Sequence, residues 1–110
     1  MSEIVKTEYE DKVEYTLNGE FHREDGPAIE YTNGSKYWYL NGKLHRVDGP
    51  AVEYADGDKF WYLYGELHRE NGPAIEWANG RKEYRVNGEY FDFITSDQML
   101  MYYLKYGFLK

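Results

Sequence analysis

At 110 residues the chain has the length of one domain, and 42% hydrophobic against 30% charged residues is the balance of a folded protein that faces water. A formal charge of −7 with no basic run argues against direct binding to nucleic acid or anionic membrane, and the absence of cysteine excludes disulfides and thiolate chemistry. The opening MSEIVKTEYE has no apolar signal segment and no stretch reaches membrane-spanning length, so a cytoplasmic location is expected.

The first legible element is KVEYTLNG at 12–19, a strand running into an Asn-Gly turn. It has the form of half a unit. Full units follow at 20–42, 43–65 and 66–88. Gly19, Gly42, Gly65 and Gly88 stand 23 residues apart, as do His22, His45 and His68, then Pro27, Pro50 and Pro73. Each unit opens with one phrase: FHREDGPAIEY from Phe21, LHRVDGPAVEY from Leu44, LHRENGPAIEW from Leu67. Its Gly-Pro is a turn with one fixed φ, leading into a strand. A hairpin signal then follows around Gly34, Gly57 or Gly80, leading into a second strand and another turn. A β-hairpin plus a short extended arm per unit predicts a mainly β fold, a single-layer antiparallel meander.

After Gly88 the phrase stops, and Phe91 and Asp92 take the histidine and arginine columns. TSDQ at 95–98 reads as a capping box, with Met99, Leu100, Tyr103 and Leu104 at helical spacing and Gly107 as a stop. A helix over about 96–106 is predicted, making 89–110 a cap on the open end of a single 1–110 domain.

Strand alternation sorts the columns into two faces. One carries Tyr15, Trp38, Trp61 and Tyr84 with Leu17, Leu40, Leu63 and Val86, read as a core ladder. Ile29, Val52 and Ile75, with Tyr31, Tyr54 and Trp77, are expected to form its other wall, extended by Phe21, Leu44, Leu67 and Tyr90. The opposite face is polar in the outer units (Glu14, Thr16, Glu83, Arg85) and aromatic in the middle ones. Its rings, Tyr37, Tyr39, Phe60 and Tyr62, form an apolar patch on the order of a few hundred Å², a size that favours interaction. Tyr64 joins the candidate partner-binding set because it stands in a turn column otherwise held by Asn18, Asn41 and Asn87. Burial of these rings under the predicted helix or the N-terminal segment, and self-association, are the alternatives.

The His-Arg pairs invite a catalytic or metal reading, but three equal copies point to structure. Arg23 and Arg46 can each tie a turn through the nearby Asp25 or Asp48, with Asn71 in the third unit. Three histidines one unit apart cannot converge on a zinc ion. Glu30, Glu53 and Glu76 are expected to pair across strands with Lys36, Lys59 and Lys82. No phosphate loop or nucleophile elbow is present. The expectation is therefore a non-enzyme with no catalytic residue, metal or cofactor.

The pattern NGxxHRxDGPAxEYxxGxKxWYxNG, over roughly residues 12–90, resembles the repeat of many small proteins from tailed bacteriophages and some large viruses. More distantly it is similar to MORN-type β-hairpin repeats. The resemblance implies a single-layer, hairpin-by-hairpin sheet and an interaction scaffold. A viral source implies a protein that binds and blocks a host protein, for counter-defence or host takeover, with acidic groups standing over a nucleic-acid-binding surface. A nucleotide-sequestering protein, a self-associating assembly component and an antitoxin-like binder remain alternatives.

Overall fold

The computed structural model describes residues 3–91, with the backbone alone at Phe91. The helix expected over 96–106, with the rest of the cap after Phe91, lies outside the described residues. The described chain is mainly β and antiparallel, an open sheet built hairpin by hairpin, as the turn spacing predicts.

Among the described residues fourteen short strands follow one another: β1 (Val5–Glu8), β2 (Lys12–Leu17), β3 (Glu20–Phe21), β4 (Ile29–Tyr31), β5 (Lys36–Tyr37), β6 (Tyr39–Leu40) and β7 (Lys43–Leu44). Then come β8 (Val52–Glu53), β9 (Lys59–Phe60), β10 (Tyr62–Leu63), β11 (Glu66–Leu67), β12 (Ile75–Glu76), β13 (Lys82–Val86) and β14 (Glu89–Phe91). The main sheet runs β1-β2-β4-β5-β8-β9-β12-β13-β14, with β3 also on β2. Eight inter-strand steps of about 4.8 Å span about 38 Å, most of the 47 Å long axis.

β6–β7 and β10–β11 are two-stranded hairpins beside this path. Backbone bonds join them into a second ladder. Arg23 N–H donates to Tyr39 O and Arg46 N–H to Tyr62 O, each at 3.1 Å, while Gly42 N–H donates to Phe21 O at 2.9 Å. Thus β5 and β6 belong to one run of chain, interrupted at Trp38, whose N–H donates to Ala51 O. Trp61 interrupts β9 and β10 in the same way and donates to Ala74 O.

Turn chemistry explains the hairpins. Asn18, Asn41 and Asn87 adopt φ of 52°, 49° and 52°, the left-handed region that Asn tolerates, and each is followed by a glycine that also has positive φ. At the other end of each hairpin, Asn33, Asp56 and Asn79 accept a hydrogen bond from the N–H two residues on, closing an Asx turn. Neighbouring turns are stapled as well: Ser35 Oγ accepts from Ala55 N–H at 2.9 Å and Asp58 Oδ1 from Ala78 N–H at 2.7 Å.

The register decides the faces, and it corrects one expectation. Ile29 stands opposite Tyr37, Tyr37 opposite Val52, Val52 opposite Phe60, and Phe60 opposite Ile75. Directly paired residues share a face. The buried Ile29, Val52 and Ile75 therefore lie with Tyr37 and Phe60, not with the Trp38 and Trp61 ladder. Likewise Phe21 contacts Tyr39 (ring centroids 5.3 Å apart), and Leu44 and Leu67 pair with Tyr39 and Tyr62. The aliphatic core row and the aromatic row are one layer of side chains. The reason is the phrase itself: its six residues between Phe21 and Ala28 form an irregular connection, across which strand alternation carries no parity.

On the other face the acid and amine columns alternate as expected. Glu30 pairs with Lys36, Lys36 with Glu53, Glu53 with Lys59, Lys59 with Glu76, and Glu76 with Lys82.

Candidate interaction surfaces

The repeated phrase folds into one bonded device. His22 Nδ1 accepts the N–H of Asn41 at 2.9 Å, His45 Nδ1 that of Tyr64 at 3.0 Å, and His68 Nδ1 that of Asn87 at 2.9 Å. Each donor is the left-handed turn residue that closes the same unit, 19 positions along. A buried imidazole thereby satisfies a main-chain donor that hairpin geometry leaves over. Accepting at Nδ1 puts the neutral ring's proton on Nε2, which faces Glu24 at His22 and Glu70 at His68.

The arginine beside each histidine sits over an aromatic ring. The guanidinium carbons of Arg23, Arg46 and Arg69 sit 4.1, 3.9 and 4.0 Å from the ring centroids of Tyr15, Trp38 and Trp61. Each also donates from Nε to Asp25, Asp48 or Asn71 and from Nη1 to the carbonyl of Pro27, Pro50 or Pro73. The phrase's glycine makes room for this stack. A Cβ at Gly49 would lie 2.8 Å from Arg46 Cζ, and Gly26 and Gly72 are as tight, at 2.8 and 2.9 Å. Their glycine is a matter of close approach. Among the described residues no group of three His, Asp or Glu is placed to hold a metal ion.

Four of the five candidate binding residues come together. Tyr37 meets Tyr31 and Tyr54 edge-on at 5.8 and 5.9 Å, and Phe60 meets Tyr54 edge-on at 5.5 Å. Tyr39 and Tyr62 continue this face along the hairpins, and all four candidates are half-buried. Burial raises the Tyr37 hydroxyl to about 12, helped by its hydrogen bond to Tyr54, and burial also pushes up those of Tyr39 and Tyr62. These rings stand beside the buried Ile29–Val52–Ile75 row in one layer and remain part-exposed.

Tyr64 does not join them. It holds φ of 48° at a hairpin tip, is 69% exposed, and lays its ring on the His45 imidazole with centroids 4.1 Å apart. Beside the same histidine stands Val47, 82% exposed, where the neighbouring units have Glu24 and Glu70. Sequence reasoning missed Val47, although its column reads Glu, Val, Glu at the 23-residue spacing. Desolvation lowers the His45 pKa.

Open grooves lie between successive arms on the arginine side. One of about 420 Å³ is floored by Trp38 and Leu40, and one of about 520 Å³ by Trp61 and Leu63. Val47 lines both. Comparison with protein-family models, with curated proteins and with solved structures returns no match.

Proposed function

We propose that the chain is a protein-binding module that acts by presenting a rigid surface and not by chemistry at its histidines. In the setting that the viral resemblance implies, it is an inhibitor of a host protein. The observation that carries this reading is the row of packed rings, Tyr31, Tyr37, Tyr54 and Phe60, half-buried but for the exposed Tyr54, on an open sheet in a chain of net charge −7. Aromatic edges held in place lose little entropy on docking and suit the centre of an interface. The engagement of each imidazole Nδ1 and each guanidinium in holding turns supports a structural role for the phrase.

The test is affinity capture from a bacterial host with the tagged chain, alongside Tyr39→Ser/Tyr62→Ser, both checked by thermal melting. One stoichiometric protein, lost in a variant that still melts cooperatively, supports the reading, and loss of affinity with rising salt supports a basic partner. A melting shift with nucleotides and no captured protein would instead establish the sequestering alternative.

A further inference from the structure

The middle unit departs from its neighbours at two places that meet around one side chain. In the first and third units the triplets are Asn41–His22–Glu24 and Asn87–His68–Glu70, polar at both ends. In the second the triplet is Tyr64–His45–Val47, apolar at both ends and exposed by 69% and 82%. The backbone bond is the same in all three. Both groups face water, and the tyrosine holds a backbone region it disfavours at a cost that its stack on His45 does not offset.

The surroundings define what would cover them. Val47 is the ridge between the Trp38/Leu40 and Trp61/Leu63 grooves. The outermost charges here are acidic: the Glu24, Asp48 and Glu70 side chains are 82%, 83% and 51% exposed, whereas Arg23, Arg46 and Arg69 are 26%, 21% and 24% exposed and sit over rings. Lys43 is a nearby cation on the hairpin side. β5 and β9 are two steps apart in the sheet, which sets the grooves about 9.6 Å apart. An α-helix places residues i and i+7 about 10.5 Å apart on one face. An extended segment offers about 6.8 or 13.6 Å on one face, and neither matches.

We propose that this ridge and its two grooves take a basic amphipathic helix of the partner protein, with apolar side chains at i and i+7 in the grooves and one at i+3 or i+4 against Val47. This rests on the protein-binding reading and assigns it a surface apart from the Tyr37/Phe60 face. Lysines or arginines flanking the apolar stripe meet Glu24, Asp48 and Glu70, so charge sets approach and the ridge sets register.

The test is an amide and indole NMR titration of the full chain with two synthetic 18-residue peptides of equal composition. One carries leucines at i, i+3, i+4 and i+7 among lysines, and the other carries the same leucines scrambled. The expected result is shifts centred on Val47, His45 and the Trp38 and Trp61 indoles, with affinity at least about tenfold above the scrambled peptide. Val47→Glu/Tyr64→Asn, which restores the flanking units' residues, should abolish the difference while melting at the same temperature or higher.

Equal affinity for both peptides would reduce the effect to bulk charge and overturn the proposal. So would a double variant that melts lower, since the two residues would then be packing. Shifts centred on Tyr37 and Phe60 would overturn this surface and leave the binding reading standing. Contacts between Val47 methyls and residues 92–110 in the free chain, or a concentration-dependent mass lost in the double variant, would assign the ridge to the chain's own tail or to a second copy, and either would overturn it.

Discussion

The His22 and His68 sites and the His45 site share one main-chain geometry and carry different side chains. In each, an imidazole Nδ1 accepts a hydrogen bond from the N–H of the turn that closes its own unit, at 2.9–3.0 Å. That donor belongs to the backbone, which every residue except proline possesses. The scaffold therefore constrains the φ of the turn residue and leaves its side chain free to change, and Tyr64 uses that freedom. Likewise the carboxylates of Glu24 and Glu70 approach Nε2 at 3.7 and 3.3 Å from exposed positions, an interaction the fold can omit, and Val47 omits it. The difference separates residues that hold the sheet from residues that decorate it.

The largest expected effect comes from breaking the part that the three sites share. Gly49→Ala drives a Cβ to 2.8 Å from Arg46 Cζ and must lift the guanidinium off Trp38. A loss of about 2–3 kcal/mol is expected from denaturant melts, with Gly26→Ala and Gly72→Ala within the same range. If one of the three were neutral, the stack would not be a common support.

His45→Ala and His22→Ala should each cost about 2 kcal/mol, because each orphans a turn donor. Equal costs would place both imidazoles in the scaffold despite their different neighbours. A much larger loss at His45 would mean that Tyr64 depends on its ring.

Acid should act on His45 in a definite direction. Burial lowers its pKa in the fold from the ordinary 6.5, so below that pH the unfolded chain binds a proton that the folded chain resists. Stability is then flat above about pH 6.5 and falls as pH drops toward the lowered folded value. Calorimetry across pH 7.5–5 should show this slope, and it should shrink in His45→Asn.

Tyr64→Asn is expected to stabilise by about 0.5 kcal/mol, since relief of the left-handed strain outweighs the lost ring stacking on His45. Destabilisation would make the exposed tyrosine part of the scaffold after all. The last effect is spectroscopic and is confined to strong alkali. The Tyr37 ring should hold its proton to about pH 12, so stability declines between pH 10 and 12 as the unfolded chain ionises first.

Much of the fold was legible because its signals are local. Asn-Gly turns need left-handed φ, Asx turns need an acceptor two residues back, and both are written residue by residue in the hairpins. The Glu30/Lys36 and Glu53/Lys59 columns were legible for a related reason, since each pair brackets a short turn that sets its register. The candidate surface was half legible. Tyr37, Tyr39, Phe60 and Tyr62 share a face as strand alternation implies, but the row they stand beside could not be read from it. Nor could the grouping of Val47 and Tyr64, which are 17 positions apart, Tyr64 stacked on His45 and Val47 lining a groove with that histidine.

The sequence by itself determined the units, their turns, the alternation within each strand and the antiparallel class of the sheet, because these depend on backbone preferences and spacing a few residues long. Tertiary structure alone decided that Ile29 lies with Tyr37 and not with Trp38, that Arg46 lies on Trp38 and requires Gly49, and that one histidine joins two exposed apolar groups. Each of these is set by how separate stretches of chain meet, within a unit and between units. Those meetings include hydrogen bonds between residues 19 or 20 positions apart, beyond the reach of any local pattern.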